Sequence, residues 1–485
     1  MPETRKFKKS LNLFDSAAIT MGSMIGSGIF IVSADIARNV GSPGWLLVVW
    51  AITFVMTVLA AVSYGELAGM LPHVGGIYVY LREAYSPLFG FLYGWTFFLV
   101  IQCGTIAAVG MAFGKYLGVL IPWISEHNYL VDFGGVFKLN TTELISILLI
   151  LFLTWINTRG IKEGKRIQNL FTYSKVMILV ALVVVGIYAA KAVQLNIFHS
   201  PDFWNASRFE DGVQIPLNGF ALVTAVGMAM VGALFSADAW YKITYTSDEV
   251  INPKKTIAKS LILGTFTVCL IYFLVNVVYV IVLPVRGIPG GATVIERGIQ
   301  FASEDRVATA AIYGIFGKNA ALLMAMVVVI STFGCNNGIV LSGARVTYAM
   351  AQDGLFFKRT ATLNKKSVPG FGLWIQAIWS ILLCLTGSYS QLLDYVIFAA
   401  LIFYVLVIFS VFVLRKKHPE WERPYKAFGY PVFPILYIAA CMFIILVMLI
   451  YKPLFSWAGL AIVVSGVPVY YIWRRITRGS VRCEV

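Results

Sequence analysis

The sequence predicts an all-α membrane protein with twelve transmembrane helices. Of its 485 residues, 59% are hydrophobic and only 13% are charged, about half the charged share of a soluble domain. The apolar residues form long runs, most of them long enough to cross the hydrocarbon core of a bilayer. Lysine and arginine cluster between these runs, as they do in the loops of multi-pass membrane proteins. The net charge of +15 therefore predicts contact with a lipid bilayer and not with nucleic acid.

The predicted spans follow one another, with polar or Gly/Pro-containing segments between them. They lie at residues 14–37, 44–70, 87–120, 142–159, 167–191, 217–247, 256–284, 318–352, 372–387, 389–414, 427–451 and 454–474. Asp15 stands at the beginning of the first span and is predicted to cap its amino terminus.

The distribution of basic residues predicts the orientation of the chain. Outside the spans or at their terminal residues, 24 lysines and arginines lie on the side of the amino terminus and nine lie on the other side. In multi-pass proteins the cytoplasmic loops carry this excess. Both termini are therefore predicted to be cytoplasmic, with the protein in a plasma membrane or, in a prokaryote, the inner membrane.

Glycines interrupt the first span at its middle, where a transmembrane helix should be most regular. Gly22, Gly26 and Gly28 fall within seven residues, and each costs about 1 kcal/mol in a helix relative to alanine. In hydrocarbon, backbone groups released from a helix must find other partners. A break is tolerated where it lines a polar cavity, in which amide N–H groups hold an anion and carbonyls hold a cation. Close contact of small residues with another helix is the alternative.

The sixth span carries a second group of small and polar residues at mid-depth, at residues 231–240. It follows the first span by five spans, an odd number, so a repeat that starts there has the opposite orientation in the membrane. Interrupted helices at matching places of two inverted halves predict a substrate site between them. Ser236 and Asp238 could also cap the second half-helix, which itself requires a break at this point.

These observations divide the chain into five parts. They are a cytoplasmic basic arm at 1–13, a first inverted repeat at 14–191, a second inverted repeat at 217–414, two further helices at 427–474 and a cytoplasmic tail at 475–485.

Four motifs occur in order along the first eight spans. They are GSGIF at 26–30, YGEL at 64–67 with the Pro/Gly/Tyr-containing segment 72–83, FSADAW at 235–240 with DEVINP at 248–253, and a weaker SxFG at 331–334. Together they resemble the L-type amino-acid transporter (LAT) family of the amino acid–polyamine–organocation (APC) superfamily. The resemblance implies a five-plus-five inverted repeat of the LeuT type, in which helices 1 and 6 are broken and helices 11 and 12 lie outside the repeat.

The resemblance also implies an α-amino acid as the substrate. By position, the amides of Ser27 and Gly28 would hold the carboxylate, and the carbonyls of Met24, Phe235 and Asp238 would hold the ammonium. The aromatic ring of Phe235 would act as a gate over the site. The complete predicted substrate-binding set is Met24, Gly26, Ser27, Gly28, Phe235, Ser236, Ala237 and Asp238. The residues agree with this reading, because a zwitterion needs one anion hole and one cation hole close together.

Lys175 lies inside the fifth span, where a lysine is costly and is by default a functional candidate. The alternative is a long side chain that reaches back to the membrane surface. The family resemblance favours the first reading, because sodium-independent relatives often carry a lysine here, at the place of a sodium ion in sodium-coupled relatives. Its partners would be carbonyls of residues 22–25 and the hydroxyl of Ser331. We therefore expect a sodium-independent amino-acid exchanger, with proton-coupled symport as the alternative.

Two departures from the family pattern change what is expected of this chain. The loop at about 121–141 has no cysteine, so a disulfide-linked heavy chain is not expected. Tyr241 follows the tryptophan of the sixth span, where relatives carry another polar residue, and this puts any side-chain preference borrowed from them in doubt.

Other polar residues inside the spans have two readings. Gln102 and Thr105, like Asn336 and Asn337, either reach the substrate side chain or form hydrogen bonds between helices. Glu66 is expected to belong to an inner gate or to a structural contact, with a proton carrier as the less favoured reading.

Nothing in the sequence predicts an enzyme. All four histidines lie in predicted loops, and no metal-ligand spacing, nucleophile motif or phosphate loop is found. No cofactor is expected. A channel is disfavoured because neither charged rings nor a filter repeat is present.

Overall fold

The structure, a computed structural model, describes residues 9–133, 137–193, 201–210, 212–385 and 389–482. Most of the predicted basic arm and the end of the predicted tail, including Cys483, lie outside these residues.

The described chain is mainly helical. Its α-helices are α1 (Leu13–Met24), α2 (Gly28–Ile31), α3 (Ser33–Val40), α4 (Pro43–Met70), α5 (Ile77–Ala84), α6 (Pro87–Thr96), α7 (Cys103–Leu120), α8 (Thr141–Thr158), α9 (Ile161–Val193), α10 (Gly219–Ser236), α11 (Pro253–Val282), α12 (Val294–Arg297), α13 (Val307–Phe316), α14 (Lys318–Gln352), α15 (Gly370–Cys384), α16 (Tyr389–Lys417), α17 (Val432–Tyr451) and α18 (Pro453–Arg482). A π-helix (Phe97–Gln102) joins α6 to α7, and a 3₁₀ helix (Trp240–Glu249) follows α10.

Long apolar helices dominate the structure. Among the described residues, 11 helical stretches are long and apolar enough to cross a membrane. The ninth predicted span, 372–387, corresponds to the shorter apolar helix α15, which has 15 residues. The prediction of an all-α, multi-span membrane protein is confirmed, and α15 accounts for the remaining predicted span.

Both predicted helix breaks are present. The last helical hydrogen bond of α1 runs from the amide of Ile25 to the carbonyl of Met21, and helical structure resumes at Gly28. Val32 has helical backbone angles and joins α2 to α3. In the sixth span, α10 ends at Ser236, and Ala239 adopts a left-handed conformation with φ of 65° before the 3₁₀ helix begins.

The capping prediction for Asp15 is wrong by three residues. Asn12 is the N-cap of α1, and its side chain accepts a hydrogen bond from the amide of Asp15 at 2.9 Å. Asp15 in turn accepts from the amide of Asn12 at 3.0 Å. The two side chains form a capping box, a motif in which the acidic residue stands at the third helical position.

The loops on the side opposite the amino terminus contain structure that the sequence analysis did not predict. Strand β1 (Tyr129–Phe133) pairs antiparallel with β2 (Phe137–Asn140), and β3 (Ser207–Glu210) pairs antiparallel with β4 (Val213–Pro216). The short helices α12 and α13 lie in the loop between α11 and α14. Hydropathy finds spans, but it carries little signal for such short elements.

The packing of the helices places the two breaks at the centre of the molecule. α1 contacts α9, α11 and α14, whereas α10 contacts α3, α4, α16 and α17, and α2 also contacts α10. The boundaries of the two inverted repeats, 14–191 and 217–414, stay a prediction.

Candidate substrate site at the helix breaks

The two broken helices meet at Gly28. A Cβ atom added to Gly28 would lie 2.1 Å from the side-chain oxygen of Ser236 and 2.8 Å from its Cα. No real side chain tolerates such contacts, so only glycine allows this approach of the first break to the second. Close packing of small residues, the alternative to a helix break, therefore occurs at Gly28 in addition to the break.

A small cavity separates the two breaks. Its volume is about 20 Å³, which is enough for about one water molecule. It is lined by Ser23, Met24, Gly26, Ser27, Gly28, Thr105, Val109, Phe235, Ser236, Asp238, Ala239, Cys335 and Ile339. The cavity as it stands is too small for an amino acid.

Seven of the eight predicted substrate-binding residues line this cavity. The eighth, Ala237, lines a neighbouring cavity of about 10 Å³ together with Asp238 and Tyr404. The predicted residues thus lie together in space, although their sequence positions are more than 200 residues apart. Their role in binding stays a prediction.

The backbone at the first break has the polarity that a carboxylate requires. Gly28 opens a helical segment that continues into α3, and the amide of Val32 donates to the carbonyl of Gly28 at 2.9 Å. The first amides of a helix have no carbonyl one turn earlier to accept from them. These N–H groups and the helix dipole favour a negative group at this end.

Two of the predicted ammonium ligands already accept hydrogen bonds. The hydroxyl of Tyr272 donates to the carbonyl of Met24 at 2.9 Å, and the amide of Asp238 donates to the carbonyl of Phe235 at 3.2 Å. A carbonyl oxygen has two lone pairs, so one accepted hydrogen bond does not by itself exclude a second donor.

The capping alternative for Ser236 and Asp238 is wrong. The hydroxyl of Ser236 donates backwards, to the carbonyl of Gly232 at 3.1 Å. The 3₁₀ helix begins after Ala239 without a side-chain cap. Asp238 instead accepts a hydrogen bond from the hydroxyl of Tyr404 on α16.

Lys175 reaches the first break from α9. Its side chain is 2% exposed, and its Nζ donates to the carbonyls of Gly22 at 3.1 Å and Ile25 at 2.9 Å. The hydroxyl of Ser331 on α14 lies 3.4 Å from the carbonyl oxygens of both Ile25 and Gly26. The ammonium therefore does not reach the membrane surface, and it lies among carbonyls that the end of α1 leaves without helical partners.

A second buried lysine was not singled out from the sequence. Lys242 is 1% exposed, and its Nζ donates to the side-chain oxygen of Gln102. The same ammonium lies 5.1 Å from the ring centre of Phe97 and 5.6 Å from that of Tyr245, within cation–π range. The rule that drew attention to Lys175 applies equally to Lys242, because both are intramembrane lysines.

Most of the other polar residues connect helices. The side chain of Gln102 donates to the carbonyl of Ile339 at 2.8 Å, and Asn336 donates to the carbonyl of Ile106 at 3.2 Å. Asn337 accepts from the side chain of Asn157 at 2.8 Å. Of the polar residues that had two readings, Thr105 lies in the cavity lining.

Glu66 forms an ion pair on the side of the helix bundle where the amino terminus lies. Its carboxylate accepts from Nε of Arg415 at 2.8 Å and from the amide of Ala427 at 2.7 Å. Arg345 and Glu249, which the sequence analysis did not single out, form a buried ion pair of 2.7 Å near the same end.

Two broken helices that face each other inside a bundle of long apolar helices define a multi-pass membrane transporter. The chain belongs to the amino acid permease family, whose family model matches residues 11–472. It is thus a membrane protein of amino-acid transport, and the predicted resemblance is confirmed.

Characterised relatives are similar over nearly the whole chain. The large neutral amino acids transporter small subunit 2 of Homo sapiens is 29% identical over 96% of this chain and 80% of its own length. The serine/threonine exchanger SteT of Bacillus subtilis is 27% identical over 97% of this chain and 98% of its own length. The b(0,+)-type amino acid transporter 1 of Mus musculus is 27% identical over 97% and 89%, respectively.

Proposed function

We propose that this protein is a sodium-independent amino-acid exchanger that works by alternating access. The observation that carries the proposal is the contact of the Lys175 ammonium with the carbonyls of Gly22 and Ile25. Carbonyl groups at a helix break are the ligands that bind sodium in broken-helix transporters. A covalently attached cation that occupies them removes the need for a dissolved one.

The substrate would bridge the two breaks. Its carboxylate would accept from the amides of Ser27 and Gly28, and its ammonium would donate to the carbonyls of Met24, Phe235 and Asp238. Phe235 lines the closed cavity and is 7% exposed, a position that suits a gate over the bound amino acid.

The proposed exchange mode rests on the size of the cavity at the breaks. As it stands, this cavity has room for about one water molecule and not for an amino acid. We infer that a bound substrate supplies its carboxylate and ammonium as partners at both breaks, so that the loaded carrier changes its orientation faster than the empty one. A carrier that returns only when loaded is an exchanger. The name of the relative SteT, a serine/threonine exchanger, agrees with this mode.

The proposal also covers the orientation of the protein in its membrane and its possible protein partner. We infer that both termini are cytoplasmic in a plasma membrane or a bacterial inner membrane, from the excess of basic residues on that side. We also infer that no heavy chain is attached through a disulfide. The five cysteines among the described residues are all buried, and the loop at 121–141 contains none.

Uptake into proteoliposomes tests the proposal. Labelled amino acids from a panel are offered in sodium-free buffer to vesicles with or without unlabelled amino acid inside. We expect uptake that needs internal amino acid and that sodium does not increase. Uptake into empty vesicles driven by a pH gradient would identify a proton symporter, and a requirement for sodium would contradict the role of Lys175.

A further inference from the structure

A second cavity lies in the loop between α11 and α14, away from the helix breaks. It has a volume of about 380 Å³, and its lining residues all belong to the stretch 292–313. α12 forms one side and the beginning of α13 the other. No residue of α1, α2, α3 or α10 lines it, so this cavity is separate from the substrate site.

The lining of this cavity is basic and rich in hydroxyl groups. Arg297 and Arg306 contribute two guanidinium groups, and Thr293, Ser303, Thr309 and Tyr313 contribute hydroxyls. No acidic residue is among the lining residues. Arginine presents several N–H donors in a plane, an arrangement that matches the oxygens of a phosphate or carboxylate.

Several of these donors have no protein partner. The Nε of Arg306 and the hydroxyl of Thr309 are buried and form no hydrogen bond within the described chain. Arg306 pairs with Glu304 through its terminal nitrogen, and among the described residues no partner is found for the guanidinium of Arg297. Buried polar groups normally have partners, so unpartnered donors that line one cavity indicate an absent acceptor.

The surface around the cavity is mixed, with exposed apolar side chains beside the carboxylates of Glu296 and Glu304. Ile295 is 49% exposed, Tyr313 is 42% exposed and Phe316, one turn beyond Tyr313 on α13, is 56% exposed. A soluble anion would leave these apolar side chains uncovered. A phospholipid suits them, because its headgroup phosphate lies at the membrane surface and its chains cover the apolar side chains.

We propose that the cavity between α12 and α13 binds the phosphate of an anionic phospholipid. Arg297 and Arg306 hold the phosphate oxygens, and Thr309 donates its buried hydroxyl. The bound lipid connects α12 to α13 and stabilises this loop. This inference goes beyond transport and does not depend on the proposed exchange mode.

Lipid binding by purified protein tests this site. Phosphatidylglycerol and phosphatidylcholine are titrated separately onto the detergent-solubilised protein, and bound lipid is counted by native mass spectrometry. The variants are Arg297→Gln and the matched control Arg208→Gln, which removes a half-exposed arginine on β3 on the same side of the molecule. We expect phosphatidylglycerol to bind Arg297→Gln about tenfold more weakly than the parent, since one charge-assisted contact is lost, and Arg208→Gln to bind it as the parent does.

Thr309→Val gives a second measurement that separates ligand binding from folding. Removal of a buried hydroxyl without a partner should raise the thermal midpoint in lipid-free detergent and reduce the further rise caused by phosphatidylglycerol. A variant that simply misfolds would lower the midpoint under both conditions.

Three results would overturn the proposal. Equal phosphatidylglycerol affinity of Arg297→Gln and Arg208→Gln would show that Arg297 does not bind this lipid and that the proposed site is wrong. A Thr309→Val variant that phosphatidylglycerol stabilises as much as it stabilises the parent would show that this hydroxyl has no part in lipid binding. Glycerol 3-phosphate, added alone, should leave the thermal midpoint unchanged. If it stabilised the parent as much as phosphatidylglycerol does, the ligand would be a soluble anion and not a lipid.

Discussion

Gly28 lacks a Cβ atom, and this absence determines how closely the two helix breaks approach each other. We predict that Gly28→Val abolishes uptake while the protein still inserts and elutes as a folded monodisperse species. The reason is that its Cβ would lie 2.1 Å from the Ser236 oxygen and would also block the amides proposed to hold the carboxylate. Proteoliposome uptake measures the effect.

Substitution of a second glycine separates the steric clash at Gly28 from the general effect of replacing a glycine in a helix. At Gly314, on α13, an added Cβ finds its nearest neighbour at 3.6 Å, an ordinary contact distance. Gly314→Ala should therefore transport like the parent, whereas Gly28→Ala should already be strongly impaired. Normal transport by Gly28→Val would contradict the proposed anion hole.

Substitution of Lys175 tests the proposal that its ammonium takes the place of a bound sodium ion. We predict that Lys175→Ala, and equally Lys175→Met, loses most uptake in sodium-free buffer, because the carbonyls of Gly22 and Ile25 lose their cation. Uptake is measured across a pH series, with and without internal amino acid.

The matched control for Lys175 is Lys254→Met. Lys254 has an exposed side chain that pairs with Glu422, and its replacement should change little. Unchanged kinetics of the Lys175 variants would show that this ammonium has no part in transport.

Lys242 connects the second half of the broken sixth helix to the π-helix that precedes α7. We predict that Lys242→Met destabilises the protein by about 1–3 kcal/mol, since it leaves the Gln102 side-chain oxygen buried without its donor. The double variant Lys242→Met/Gln102→Leu removes both partners and should be less destabilised than the sum of the single variants. Thermal unfolding in detergent measures the difference, and strict additivity would show that the contact contributes nothing.

The proposed role of Phe235, on the broken sixth helix, is to close the substrate site during transport. We predict that Phe235→Ala sharply lowers the transport rate with only a modest change in substrate affinity, because the ring closes the site more than it holds the substrate. Uptake kinetics and equilibrium binding are compared on the same preparation. Phe220→Ala is the control, because Phe220 lies on the same helix and is 74% exposed. Equal rates of Phe235→Ala and the parent would remove Phe235 from the gate.

The orientation of the whole molecule is testable through its cysteines. The five described cysteines are buried, so Cys483 in the predicted cytoplasmic tail should be the residue that reacts with a membrane-impermeant maleimide. We predict labelling only after cells are permeabilised. In a Cys483→Ser background, a cysteine placed at the exposed Glu210 should react in intact cells. The reverse pattern would invert the proposed topology.

The sequence by itself determined the class of this protein, because burial in lipid imposes a composition that no tertiary contact can change. It also located both helix breaks, since glycines and polar residues at mid-depth are costly wherever the helix lies. Lys175 was found for the same reason. These features depend on the local chain and on the solvent around it.

Only the tertiary structure decided which residues face one another. The contact of Gly28 with Ser236 and the connection of Lys242 to Gln102 join segments more than 100 residues apart, and no local pattern encodes such pairs. The capping prediction failed in one local and one tertiary way, because Ser236 donates to Gly232 within its own helix, whereas Asp238 accepts from Tyr404, a residue of α16 that only the fold brings near it. The cavity between α12 and α13 likewise exists only because two short loop helices, which were not among the predicted spans, fold against each other.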